Sequence, residues 1–238
     1  MKPFALAPLT LEQAHVLLNA VKGHRLEALY RVALSLGLRR GEVLGVRWVD
    51  VDFTQRTLRV ATALQRQDGK LVLSEPKTRS SARTLPLPEV LVQTLQVHQQ
   101  AQERQRAELG DAWNEHGMVF PTEVGTPLEP RNLIRHFKGV LKRAGLPEST
   151  RFHDLRHSCA TFLIAQGVHP RVVMEILGHS QISVTMNTYG HVVPAAQRQA
   201  VEGIAGLFAA PHMEQPGTDA MEAAREIEEH TGQARDES

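Results

Sequence analysis

Thr57-Leu58-Arg59-Val60 is where the chain changes period, and the reading of this short stretch decides the fold class. Its polar and apolar residues alternate, as a half-buried strand requires. Asp68-Gly69 follows as a hairpin turn, because the favoured two-residue turns need residues that tolerate positive φ. Leu71-Val72-Leu73 reads as the returning strand. Ala82 to Leu87 reads as a third, closed off by Pro86 and Pro88.

Outward from this island the apolar spacing is helical. Thr10, with Gln13 three residues on, is a capping pair for a helix carrying Leu11, Ala14, Leu17 and Leu18. A second helix from about Arg25 to Leu36 places Leu26, Leu29, Tyr30, Ala33 and Leu34 on one stripe. Gly37 ends it, and a short helix from Arg40 to about Val46 follows. Downstream, helices are expected over 88–109, 130–144, 153–166, 170–177, 181–188 and 194–208. The expected fold is mainly α with a small three-stranded antiparallel sheet (α+β). Residues 1–9 form an irregular lead-in, 10–210 one domain and 211–238 an acidic, mostly disordered tail.

With 42% hydrophobic and 22% charged residues, the composition is that of a soluble globular protein. No run approaches the ~18 apolar residues of a membrane span. Cys159 is the only cysteine, which excludes an intramolecular disulfide and suits a reducing cytosol. The formal net charge of +1 hides an asymmetry: residues 211–238 hold eight acidic and two basic side chains, leaving residues 1–210 at +7. A basic folded part is what a partner of a polyanion has.

Chemistry concentrates near the end of the domain, in Phe152-His153-Asp154-Leu155-Arg156-His157, Leu177-Gly178-His179 and Tyr189. An arginine beside a tyrosine suits a phosphate held under attack by a phenolic oxygen. His153 and Arg156, three apart at a helix start, are expected on one face, with backbone N–H groups adding positive character. His153 and His157 have a zinc-compatible spacing, but a zinc protease carries glutamate where Asp154 stands. Upstream, Arg39 and Arg40 sit at a helix start, where guanidinium forks can clamp phosphate oxygens, and Glu42 is placed to orient Arg39. Pro76 to Arg83, with Lys77, Arg79 and Arg83, reads as a basic turn able to reach into a groove.

In order and spacing, Gly37-Leu38-Arg39, Gly41-Glu42, Lys77, His153-x-x-Arg156, Leu177-Gly178-His179 and Tyr189 resemble the tyrosine recombinase (phage integrase) family. Leu44-Gly45-Val46-Arg47-Trp48-x-Asp50-Val51-Asp52 and Tyr189-Gly190-His191 add to the match, which spans roughly residues 8–208. The resemblance implies a site-specific recombinase that cleaves and rejoins double-stranded DNA through a 3′-phosphotyrosyl link. Tyr189 would be the nucleophile, His153 the base and Lys77 the acid for the departing 5′-oxygen. Arg39 and Arg156 would hold the non-bridging oxygens, His179 would add a hydrogen bond and Glu42 would fix Arg39. Arg40, Arg79 and Arg83 would contact DNA. General acid or base help contributes roughly 10²–10⁴-fold, and one lost oxyanion contact costs about 3–4 kcal/mol. By this resemblance the reaction needs no metal, cofactor or ATP.

The resemblance further implies a monomer without DNA and a synaptic tetramer on it, with the helix over 194–208 docking on a neighbouring protomer. Its setting would be cytoplasmic, at the nucleoid. Relatives mostly carry a DNA-clamping helical domain ahead of the matching region. Here nine residues precede the first expected helix, which implies a short recombinase or a catalytic domain alone, with weak, salt-sensitive DNA affinity. A remnant that binds DNA or a partner recombinase without cutting is the alternative function. A His-based metallohydrolase is a third. The stretch 93–117 looks long for the family.

Overall fold

A computed structural model describes residues 8–75 and 82–178. The helices expected at 181–188 and 194–208, the tail, Lys77, Arg79, His179 and Tyr189 lie outside the described residues.

Helix α1 (Leu11–Ala20) starts as its sequence dictates. Gln13 N–H donates to Thr10 Oγ1 at 3.2 Å, and Thr10 N–H donates to Gln13 Oε1 at 3.0 Å, closing a reciprocal cap. Helix α2 (Glu27–Leu36) buries Ala28, Leu29, Tyr30, Val32, Ala33, Leu34 and Leu36. Those positions cover most of the circumference and leave only the stripe of Glu27, Arg31 and Ser35 unburied, so α2 is a central element. Gly37 ends it at φ 59°, and a Cβ there would meet Leu177 Cδ2 at 2.5 Å. Only glycine satisfies both demands.

Helix α3 (Arg40–Leu44) follows at once, and a 3₁₀ turn (Trp48–Asp50) leads into the β segment. Five short strands follow: β1 (Val51–Asp52), β2 (Thr57–Val60), β3 (Ala63–Gln67), β4 (Lys70–Ser74) and β5 (Arg83–Pro86). They form two sheets: β1-β2-β5 and the hairpin β3-β4. The expected order is thus corrected in detail. The strand at 71–73 returns along Ala63–Gln67, and β2 pairs with β5 instead. The turn explains this. A two-residue loop at Asp68-Gly69 pairs Gln67 with Lys70 and fixes the register outward to Ala63 and Ser74. The chain bends between β2 and β3, where Thr62 Oγ1 donates to the Gly45 carbonyl at 2.7 Å. A Cβ on Gly45 would lie 2.9 Å from Thr62 O and one on Gly41 3.0 Å from Leu64 O, so these glycines let α3 lie against the hairpin.

Helix α4 (Glu89–Leu109) buries only Leu91, Val92 and Leu95. Farther along, His98 and Gln102 anchor it to the carbonyls of Val119 and Met118. Helix α5 (Pro130–Arg143) turns Leu133, Phe137, Val140 and Leu141 into the main core. Helices α6 (Asp154–Ala165) and α7 (Pro170–Leu177) share a smaller cluster of Ala160, Ile164, Val173 and Leu177. Among the described residues, no helix is long and apolar enough to cross a membrane.

Candidate active site

Helix α7 ends at Leu177, and its last carbonyls have no helical partners. Three arginines take them. Arg83 Nε donates to Ile176 O at 2.7 Å, Arg156 Nη2 to Leu177 O at 2.6 Å and Arg39 Nη2 to Gly178 O at 3.1 Å. The arginines come from β5, α6 and the residue capping α3. The negative end of the helix dipole favours cations there.

Arg156 is only 2% exposed, and its Nη1 also donates to Gly37 O at 2.7 Å. One guanidinium therefore joins the end of α2 to the end of α7, two residues before Arg39. Glu42 is buried beside it. Its Oε1 accepts from Arg39 Nη1 at 2.7 Å and Arg83 Nη1 at 3.3 Å, and its Oε2 from Arg39 N–H at 2.9 Å and Arg83 Nη2 at 3.0 Å. Burial alone would raise the Glu42 pKa. The hydrogen bonds and charge of Arg83, with those of Arg39, outweigh it and bring the carboxyl down to about 2.

His153 lies at the start of α6 and is exposed. Desolvation of its ring and the Arg156 charge hold it below the ordinary histidine value. His157, one turn on, packs edge-on against it with ring centroids 4.9 Å apart, and burial and then His153 push it down to about 4. Both shifts favour the neutral imidazole, which keeps a basic nitrogen. Among the described residues, no three His, Cys, Asp or Glu side chains gather so that they could hold a metal ion.

The profile of the phage integrase family matches residues 8–195. The chain belongs to that family. The tyrosine recombinase XerC-like protein of Caldanaerobacter subterraneus subsp. tengcongensis is 39% identical over 209 residues, covering 83% of this chain and 53% of that protein. The ICEBs1 integrase of Bacillus subtilis is 32% identical over 179 residues, covering 75% of this chain and 48% of its own length. The chain thus spans about half the length of the curated relatives it matches. Among solved structures, the Tn1549 transposon integrase in complex with transposon right-end DNA superposes with a TM-score of 0.74 at 26% identity. That match covers 86% of this chain and 68% of the other. XerA recombinase, at 21% identity and a TM-score of 0.65, shares the fold.

The chain brings Arg39, Glu42 and Arg156 together around the end of α7, with His153 at the start of the helix that carries Arg156. His153 and Arg156, expected on one helix face, differ in exposure: His153 is exposed, while Arg156 runs inward to the carbonyls of Gly37 and Leu177. One expectation is corrected: the N–H groups at the start of α6 are committed. Those of Asp154, Leu155 and Arg156 bond back to Arg151, Phe152 and His153 carbonyls at 2.9, 3.3 and 3.1 Å.

Arg40 is exposed on the first turn of α3. Arg83, expected to reach toward DNA, instead has a side chain 8% exposed and turned onto Glu42 and Ile176. The sequence held a signal for this. In strand β5, Arg83 lies two residues before the buried Leu85 and so on its inward face.

Proposed function

We propose that this integrase chain cleaves and rejoins double-stranded DNA as the catalytic domain of a site-specific recombinase, with Tyr189 as nucleophile. The observation that carries this reading is the gathering of Arg39, Arg83 and Arg156 on the carbonyls of Ile176, Leu177 and Gly178, directly ahead of His179. Positive charge so gathered, beside a neutral imidazole, suits a phosphodiester that gains charge in its transition state. The DNA bound by the Tn1549 integrase supports duplex DNA as the substrate.

In the forward step the Tyr189 oxygen forms a bond to phosphorus and the bond from phosphorus to the 5′-oxygen breaks. A phenol of pKa about 10 is a weak nucleophile at neutral pH unless it loses its proton as it attacks. His153 takes that proton, its depressed pKa keeping it in the basic form. Lys77 donates a proton to the departing 5′-oxygen. Arg39 holds a non-bridging oxygen, Arg156 opposes the charge on these oxygens from beneath the site, and His179 adds a hydrogen bond. In the reverse step a 5′-hydroxyl attacks phosphorus and releases Tyr189. Each step exchanges one phosphate ester for another, so rejoining needs no ATP. Exposed Arg40, with Arg79, would contact the DNA backbone. Strand exchange would proceed in a DNA-bound tetramer at the nucleoid, with 194–208 docking on the neighbouring protomer.

The test uses a pool of nicked suicide duplexes randomised around the cleavage position, in which the short released strand diffuses away. The chain should form a protein–DNA adduct that survives SDS, forms in EDTA and is absent in Tyr189→Phe. DNA retention with no adduct from any duplex would replace this reading with that of a non-cutting DNA-binding remnant.

A further inference from the structure

Glu42 has no spare acceptor capacity. A carboxylate offers about four acceptor positions, and Arg39 and Arg83 fill them with bonds of 2.7 and 2.9 Å and of 3.3 and 3.0 Å. Neither arginine can shift without bending the other's bonds. Arg83 also holds the Ile176 carbonyl through Nε, so a single planar group reads both the carboxylate and the end of α7. Gly178 leaves the room, since a Cβ there would stand 2.8 Å from Arg83 Nη1. Arg83 begins β5, and Lys77 precedes it in the same β4–β5 connection.

We propose that Arg83 is a positioning residue for strand transfer: through Glu42 it aims the guanidinium of Arg39, and it does so only while the last turn of α7 is seated against it. This rests on the function proposed above. Among the described residues Arg83 contacts Glu42 and the Ile176 carbonyl, and the effect proposed for it passes through Arg39. The arrangement makes the competence of Arg39 depend on the placement of the segment that leads to His179 and Tyr189. A misplacement of about 1 Å in such a group can cost about 10²-fold in rate.

The experiment uses the full chain and suicide duplexes selected from the pool by wild type. Cleavage is followed on the ordinary phosphodiester and on each stereoisomer of a methylphosphonate at the scissile position. The methyl group removes the charge that Arg39 opposes, so dependence on Arg39 should fall for the isomer whose methyl faces it. Arg39→Ala identifies that isomer. Arg83→Gln should cleave the phosphodiester about 10²-fold more slowly and recover on the same isomer. It should add little to Arg39→Ala in the double variant. Arg83→Lys keeps the charge but cannot span carboxylate and carbonyl together. It should show a smaller defect with the same stereochemical recovery.

Equal loss on all three substrates, wild-type rates, or failure of both Arg83 variants to fold would each overturn the proposal and leave Arg83 a structural tie. Absence of any adduct from wild type would instead overturn the functional reading on which it rests.

Discussion

Arg39 with Glu42 at the start of α3, and Arg151 with Asp154 at the start of α6, are the same local device in two places. In each, the carboxylate three residues on accepts both the backbone N–H and a guanidinium N–H of the arginine. The distances are 2.9 and 2.7 Å at Glu42 and 2.7 and 3.0 Å at Asp154. Both acids are buried, at 6% and 3% exposure. The difference lies in what arrives from elsewhere. Glu42 takes a second, buried arginine from β5, and Arg39 reaches across to Gly178 O. Among the described residues Asp154 takes no second arginine, and its pair with Arg151 starts a helix. The spacing builds the device; tertiary structure makes one copy part of a site.

Replacing the acid where the second arginine converges should have the largest effect. Glu42→Leu leaves the Arg83 guanidinium buried without its counter-ion, and breaking such a pair costs about 3–5 kcal/mol. Urea unfolding would read that loss, and adduct formation should disappear with it. A cost near that of an ordinary helix cap would make the two copies equivalent. The same carboxylate gives a pH signature. Its folded-state pKa of about 2 lies below the ordinary glutamate value of 4.5, so its contribution is full above about 4.5 and is lost as pH falls from there to about 2. Over that window wild type should lose on the order of 3 kcal/mol that Glu42→Gln does not. Parallel acid limbs for the two proteins would refute this.

The contrast also marks how far the sequence could be read. The Arg39–Glu42 pairing follows from spacing, as do the Thr10 cap, the helix break at Gly37 and the helices up to α7. Local chemistry decides these, and local chemistry is visible in one dimension. Alternation alone gives strand 71–73 the wrong partner, because Thr57–Val60 alternates more cleanly than Ala63–Gln67, although a two-residue turn can pair only the residues beside it. Arg83 looked like part of a basic surface turn, yet its parity with Leu85 pointed inward. That Arg156 would hold Gly37 O and Leu177 O was not legible. Backbone carbonyls carry no residue-specific signature, and only the packing of α2, α6 and α7 brings these two together.

Gly178→Ala probes the site copy without touching either charge. At φ 66° the new Cβ costs about 1–2 kcal/mol in backbone conformation, and it would sit 2.8 Å from Arg83 Nη1. It should therefore lower stability by about 2 kcal/mol and slow adduct formation well beyond what that loss explains at a temperature where the protein stays folded. Gly69→Ala is the control, with φ 79° but nothing within 4 Å of the added carbon. It should show the backbone cost alone and cleave as wild type. Equal cleavage by the two variants would mean that the end of α7 tolerates displacement of Arg83.

Asp154→Asn should have the smallest effect. The amide oxygen can still accept the Arg151 N–H, which in the wild type lies 2.7 Å from Oδ2. What is lost is the charge of a buried carboxylate opposite a guanidinium that is 46% exposed, and water screening on the arginine side keeps such a contribution near about 1 kcal/mol. Unfolding should therefore shift by about 1 kcal/mol or less, with adduct formation of the same order as wild type. A loss matching that of Glu42→Leu would show that the α6 copy also feeds the site, through His153 and the buried arginine that follows it. The small effect expected here is thus the sharper test of the comparison, because it alone separates an arginine–carboxylate pair that starts a helix from one that aims a phosphate-binding group.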